Sequence, residues 1–244
     1  MAQISIVEDV DLNDPVLVEG FPGVGLVGSI AVSHLIETYD MTHHANVHCE
    51  GLPRMATYGS SDPTLSTPVR LYADAEHDLV ALRSDVPVSP DGAAAFVDCF
   101  AGWLDDSNTM PMYLSGLGRE TEDERPGLYG VATGGGEPLL ADAGIDDPPE
   151  DGIVSGPTGA LLADALKRDI RALGLVVESD PQFPDPTAAR VLIKDGIDPV
   201  AGLDTPTEEL VERAGEIRDA KRQLAKRLQS GEESVRAEPL RGFQ

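Results

Sequence analysis

Apolar positions in the first half of the chain switch between a two-residue period and one of three to four residues, the pattern of strands interspersed with helices. Residues 3–7 and 16–19 read as strands, 26–36 as a helix, and 69–73 and 79–82 as further strands. Ser89 and Asp91 offer caps for a helix through Trp103 that buries Phe96, Val97, Phe100 and Leu104 on one side. Residues 110–114 return to strand. Such alternation sets helices against the faces of a sheet, which is an α/β fold.

The pattern then breaks. Residues 119–126 are strongly charged and 134–149 are dominated by Gly, Asp and Pro, so both read as surface loops around a short strand at 129–132. Residues 158–173 read as an amphipathic helix with Leu162, Leu166, Ile170 and Leu173 on one stripe. Its second half carries Lys167, Arg168 and Arg171, where the helix dipole favours cations. A strand at 175–177 and a helix at 187–194 follow, the latter approached through Pro184 and Pro186.

Thr205 and Glu208 make a capping box around Pro206, predicting a last helix that runs to about Gln229. Leu210, Ala214, Ile217, Leu224 and Leu228 form its apolar seam, interrupted by Lys221, and Glu209 stands one turn before Arg213. Residues 230–244 have few apolar side chains and read as a mobile tail. The expected organisation is one α/β domain over 1–229, closed by an amphipathic helix at about 206–229, and a tail at 230–244.

Composition sharpens this picture. Of 244 residues 41% are hydrophobic but only 5% aromatic, so the core is built from Val, Leu, Ile and Ala. Against 18 basic residues stand 43 acidic ones, a formal net charge of -25 spread along the chain. That balance excludes nucleic acid as a partner, because phosphate neutralisation needs clustered Lys and Arg. It fits a surface adapted to a salt-rich cytoplasm, a halophilic pattern in which Asp is abundant and the lysines are only Lys167, Lys194, Lys221 and Lys226; the alternative is an acidic surface aimed at a basic partner. The melting temperature should therefore rise between low and molar salt; an unchanged value would contradict that reading. No apolar run reaches the length of a membrane span and the first residues carry no leader pattern, so a cytoplasmic protein is expected. Cys49 and Cys99 flank no CxxC and are expected as two buried, inert thiols rather than a zinc site or a disulfide framework.

The most chemically suggestive segment is Gly20-Phe21-Pro22-Gly23-Val24-Gly25-Leu26-Val27-Gly28, which holds a formal GxGxxG between a strand and a helix, with Glu50 downstream. Glycines of this kind let a backbone approach a pyrophosphate at a helix N-terminus. Equally, they permit a tight turn that packs the helix closely on the sheet. Pro22 removes one backbone donor just where a phosphate would need it, and no second mononucleotide half follows, which favours the packing turn.

The same segment, continued by Ser29, Ile30 and Ala31, resembles the opening signature of the archaeal members of the proteasome assembly chaperone family. Two later segments are similar to that family in the same order: Ser155-Gly156-Pro157-Thr158-Gly159-Ala160, and Asp185-Pro186-Thr187-Ala188-Ala189. The resemblance implies a three-layer α/β/α fold with a mixed central sheet, related to nucleoside phosphorylases, plus a C-terminal helix. It also implies a non-enzymatic protein without cofactor that forms a homo-oligomer and binds proteasome α-subunits or a related chaperone. Some members of the family dock through a C-terminal tail with a penultimate tyrosine. Here the corresponding residues are Leu240, Gly242, Phe243 and Gln244; Phe243 keeps the ring without the hydroxyl, and Gly242 replaces a hydrophobic residue. The alternative is a nucleotide- or phosphate-binding enzyme on the same scaffold.

Other candidate chemistry is sparse. His43, His44, His48 and Cys49 have metal-ligand types, but they read as a loop entering a strand, where alternation would separate them. His34 and His77 are expected at the surface or a sheet edge. Ser115 and Ser155 each stand beside a glycine at a predicted strand end, outside any GxSxG elbow, and read as strand terminators. Gly134-Gly135-Gly136-Glu137 has no P-loop lysine and reads as a flexible surface turn.

Overall fold

The computed structural model describes residues 4–59, 62–119 and 125–212, and its frame is an eight-stranded mixed sheet. The strands are β1 (Ile4–Ile6), β2 (Val16–Gly20), β3 (Thr42–Val47), β6 (Val69–Asp74), β7 (Leu79–Ser84), β8 (Met110–Gly118), β9 (Leu128–Thr133) and β10 (Ala172–Ser179). Their order across the sheet is β1-β3-β6-β7-β2-β8-β10-β9. The centre, β7-β2-β8-β10, is parallel, and antiparallel pairs finish both sides. A separate hairpin pairs β4 (Thr57–Gly59) with β5 (Asp62–Ser66).

Parallel strands covered on both faces need apolar side chains in both directions, which is why Leu17, Val18, Leu79, Val80, Ala81 and Leu82 are all buried. Alternation divides them between two cores. Val18 and Ala81 pack with Ala31, Val32 and Leu35 of α1 (Val27–Thr38) and with Ala188 and Ala189 of α5 (Pro186–Val191). Leu17, Val80 and Leu82 pack with Phe96 and Phe100 of α2 (Pro90–Ser107) and Leu161 of α4 (Gly156–Arg168). The result is the three-layer α/β/α architecture with a mixed sheet that the family resemblance implies. Among the described residues no helix is long and apolar enough to cross a membrane.

Several local expectations are corrected. The helix read at 158–173 is two elements: α4 stops at Arg168, Asp169 takes a left-handed conformation (φ 54), and Leu173 lies in β10 between Met112 and Ala132. The buried stripe of α4 is Thr158, Leu161 and Ala165, while Leu166 is 69% exposed. The helix read at 187–194 is α5, capped by the Asp185 side chain, continuing through a π-helical turn at Leu192–Ile197 into α6 (Asp198–Ala201). Thr205 does not cap the last helix. Its hydroxyl and N–H are both taken by the Asp198 carboxylate, at 2.5 and 3.0 Å, and helix begins at 208 instead. The rest of the helix predicted to about Gln229 and the predicted tail, including Leu240, Gly242, Phe243 and Gln244, lie outside the described residues.

Cys49 and Cys99 are not free thiols but a disulfide, with Cα atoms 5.7 Å apart. Separation along the chain concealed the pairing, since only the folding of α2 over the segment after β3 brings them together. The Gly134–Gly136 turn is not loose. A Cβ on Gly134 would stand 2.2 Å from the Ile170 carbonyl carbon, and the turn leads into a short helix, α3 (Glu137–Asp142). His34 is buried rather than superficial, its Nε2 2.7 Å from the Pro206 carbonyl oxygen.

Candidate functional site

β2 lies between β7 and β8, with α1 leaving β2 towards one face of the sheet and α2 leaving β7 towards the other. In α/β sheets such a switch point opens a crevice at the carboxyl ends of the strands, where ligands commonly bind. The glycine-rich turn occupies this place. It forms a single 3-10 turn at Val24–Leu26 and then α1.

Each residue of the turn has a distinct packing environment. A Cβ on Gly20 would lie 2.6 Å from that of Val32, so the missing side chain lets α1 approach β2. Phe21 is buried edge-on against Phe96, with centroids 5.2 Å apart. Pro22 is half-buried and Gly28 is buried beside Leu114. Gly25 has φ 63, and a Cβ there would also meet the Ser179 oxygen at 2.7 Å. Gly23 faces open space.

The turn is clasped from three directions. Asp185 N–H donates to the Gly25 carbonyl at 2.8 Å, while the Asp185 carboxylate accepts from Ala188 N–H and Asp180 N–H, each at 3.0 Å. Across β8, the Val24 carbonyl sits so close to Gly116 that a Cβ there would be 2.3 Å away. Beneath, Glu19 is fully buried; its Oε1 accepts from Phe21 N–H at 2.5 Å and its Oε2 from Thr158 Oγ1 at 3.0 Å and Leu114 N–H at 3.4 Å. Burial pushes the Glu19 pKa up to about 7, against the opposing pull of these donors. Of the three segments that carry the family resemblance, the first and last therefore meet at Gly25 and Asp185, and Thr158 of the middle one reaches the first through the Glu19 carboxyl that also holds Phe21 N–H.

Several of the turn's backbone donors are spent within the chain or missing. Phe21 N–H is spent on Glu19, Leu26 N–H on the Gly23 carbonyl at 3.0 Å, and Pro22 has no N–H to give. A carboxylate lies below. This environment is unsuited to a phosphate. Gly116→Val should lower the unfolding free energy by about 1–3 kcal/mol, because the obstacle is a backbone carbonyl, whereas Gly23→Ala should change it by less than about 0.5 kcal/mol. Chemical denaturation of both variants checks the contrast.

The remaining candidates do not assemble into a catalytic group. His43 stacks on Tyr72 at 5.4 Å and contacts Asn46 Oδ1 at 3.1 Å, His44 contacts the Glu8 carbonyl at 2.8 Å, and Cys49 is consumed by the disulfide. Among the described residues no group of three or more His, Cys, Asp or Glu is placed to hold a metal. Ser115 lies inside β8 opposite Val176, short of the strand end predicted for it, and Ser155 holds the N-cap position of α4. Glu19 is the residue that the sequence reading passed over. Its signal was an acidic side chain inside an apolar strand immediately before the glycine turn.

Known proteins are similar to this chain over most of its length. A curated relative, the uncharacterised protein MJ0106 of Methanocaldococcus jannaschii, is 28% identical over 221 residues, covering 88% of this chain and 87% of that one. The crystal structure of Pyrococcus furiosus PbaA, described as an archaeal homologue of proteasome-assembly chaperone, superposes with a TM-score of 0.78 at 22% identity, covering 93% of each chain. That of Pyrococcus furiosus PbaB, described as an archaeal proteasome activator, gives 0.79 at 22% identity, covering 92% of this chain and all of the other. At these identities the two structures establish the fold. The model of the PAC2 family matches residues 17–225, and this chain belongs to the PAC2 family.

Proposed function

We propose that the chain is a non-enzymatic scaffold of the proteasome-assembly-chaperone type, which self-assembles in the cytoplasm and binds proteasome α-subunits or a related chaperone. The observation that carries this reading is the family match over residues 17–225, in a fold shared with proteins described as a chaperone homologue and a proteasome activator. The glycine turn supports it in that Phe21 N–H and Leu26 N–H are spent within the chain and Pro22 has none to offer a phosphate. So does the β4–β5 hairpin, where Tyr58 and Leu65 pair across the strands and are 76% and 68% exposed, with Met55 just before them at 62%. Neighbouring exposed apolar side chains of this kind suit a protein partner.

Mixing the purified chain with isolated proteasome α-subunits, followed by native mass spectrometry, tests the reading. The full chain should form a complex with the α-subunits. A variant lacking Gly242, Phe243 and Gln244 separates the two ways of binding: loss of the complex assigns docking to the tail, and retention assigns it to the folded surface. Absence of a complex with either protein would overturn the proteasome partner.

A further inference from the structure

β9 is an edge strand, and its hydrogen-bonding groups are only partly used. Gly130 N–H turns away from β10 and donates to the Asp146 carbonyl at 2.9 Å, in a single parallel bridge between Tyr129 and Asp146. In an antiparallel pair, alternate residues point their backbone groups to the same side. With Gly130 facing outward, the register of β9 on β10 directs the N–H and C=O of Ala132 outward as well, together with the C=O of Gly130. These groups open into a cleft of about 520 Å³ between the strand edge, α3 and residues 145–147. Leu140 and Ile145, both buried, form its apolar floor over Gly130, and Glu137, Asp146 and Asp147 are exposed on its rim.

We propose that this edge is a docking groove for an extended segment of a partner protein that alternates apolar and basic residues, bound by strand addition to β9. The Ala132 N–H and C=O and the Gly130 C=O pair with the segment's backbone, an apolar side chain rests on Leu140 and Ile145, and Lys or Arg side chains meet the three rim carboxylates. Charge complementarity identifies the occupant, since the exposed carboxylates of Glu137, Asp146 and Asp147 at this edge attract a basic segment and disfavour an acidic one. The site adds to the protein-binding reading but does not depend on the proteasome being the partner, so the two can fail separately.

The probe is a fluorescein-labelled amidated peptide, Lys-Val-Arg-Val-Lys, titrated into the full chain and followed by anisotropy. A second peptide of identical sequence and charge, N-methylated at alternate residues, lacks the donors for strand pairing while keeping any non-specific attraction. The first peptide should bind at least about tenfold more tightly than the second, and more weakly as salt rises. Ala132→Pro, which removes the outward N–H, and the double variant Glu137→Lys with Asp147→Lys should each weaken it by about tenfold. Amide exchange at Ala132 should slow in the complex. No binding, equal binding of both peptides, or binding indifferent to the double variant would overturn the proposal. If Ala132→Pro does not fold, the exposed charge variant, the methylated peptide and the exchange rate decide the matter alone.

Discussion

Opening the Cys49–Cys99 disulfide should lower the unfolding free energy by about 4 kcal/mol, the chain-entropy value for a cross-link spanning some fifty residues. The bond ties the segment after β3 to α2, and the closed loop includes β4, β5, β6 and β7. A second contact sits beside it. Gly51, at φ 92, and Gly92 lie so close that a Cβ on Gly51 would be 2.1 Å from the Gly92 carbonyl oxygen. In the chain-entropy account the loss comes mainly from a freer unfolded chain. Guanidinium unfolding of the oxidised parent and of Cys49→Ser measures it. Equal midpoints and slopes would show that the bond contributes nothing.

The second large effect concerns Glu19. Its carboxyl holds a proton up to about pH 7 in the folded chain but only to about 4.5 when unfolded, because burial penalises the charged form. Between those values the folded state binds more protons. Stability contributed by this group is complete below pH 4.5, falls as pH rises through 7, and levels off above it, a loss of roughly 3 kcal/mol. Glu19→Gln cannot ionise. It gives up one acceptor towards Leu114 and Thr158, so it should be no more stable than the parent at pH 5 and clearly more stable at pH 8. Denaturation midpoints of both proteins across this range test it, and parallel curves would contradict the assigned cause. The consequence is local as well, since the carboxyl anchors Phe21 of the glycine turn.

How much of this was readable beforehand depended on how far apart the interacting residues were. The central strands were legible because burial on both faces leaves uninterrupted apolar runs such as Leu79 to Leu82. The glycine turn was legible because Pro22 broke a cofactor fingerprint that spacing alone would have allowed. Contacts that join distant segments were not. Cys49 and Cys99 meet only once α2 has folded over the sheet, and Glu19 acquires its meaning from Thr158 and Leu114. Local rules also lost to tertiary ones: Asp198 takes both the hydroxyl and the N–H of Thr205, defeating a sound capping box, and Leu173 mimicked helical spacing while belonging to β10.

The motifs at Gly25, Thr158 and Asp185 thus describe contacts within the protein's own chain, and the proposed function assigns binding to the outer surface. Gly134, like Gly116, is enclosed by backbone rather than poised over a ligand. Whether function resides in protein contacts is tested most directly by affinity capture of the full chain at high salt, with mass spectrometry of what is retained. The predicted result is recovery of proteasome α-subunits or of a second PAC2 chain. Recovery of neither, with binding of a nucleotide or sugar phosphate instead, would contradict it.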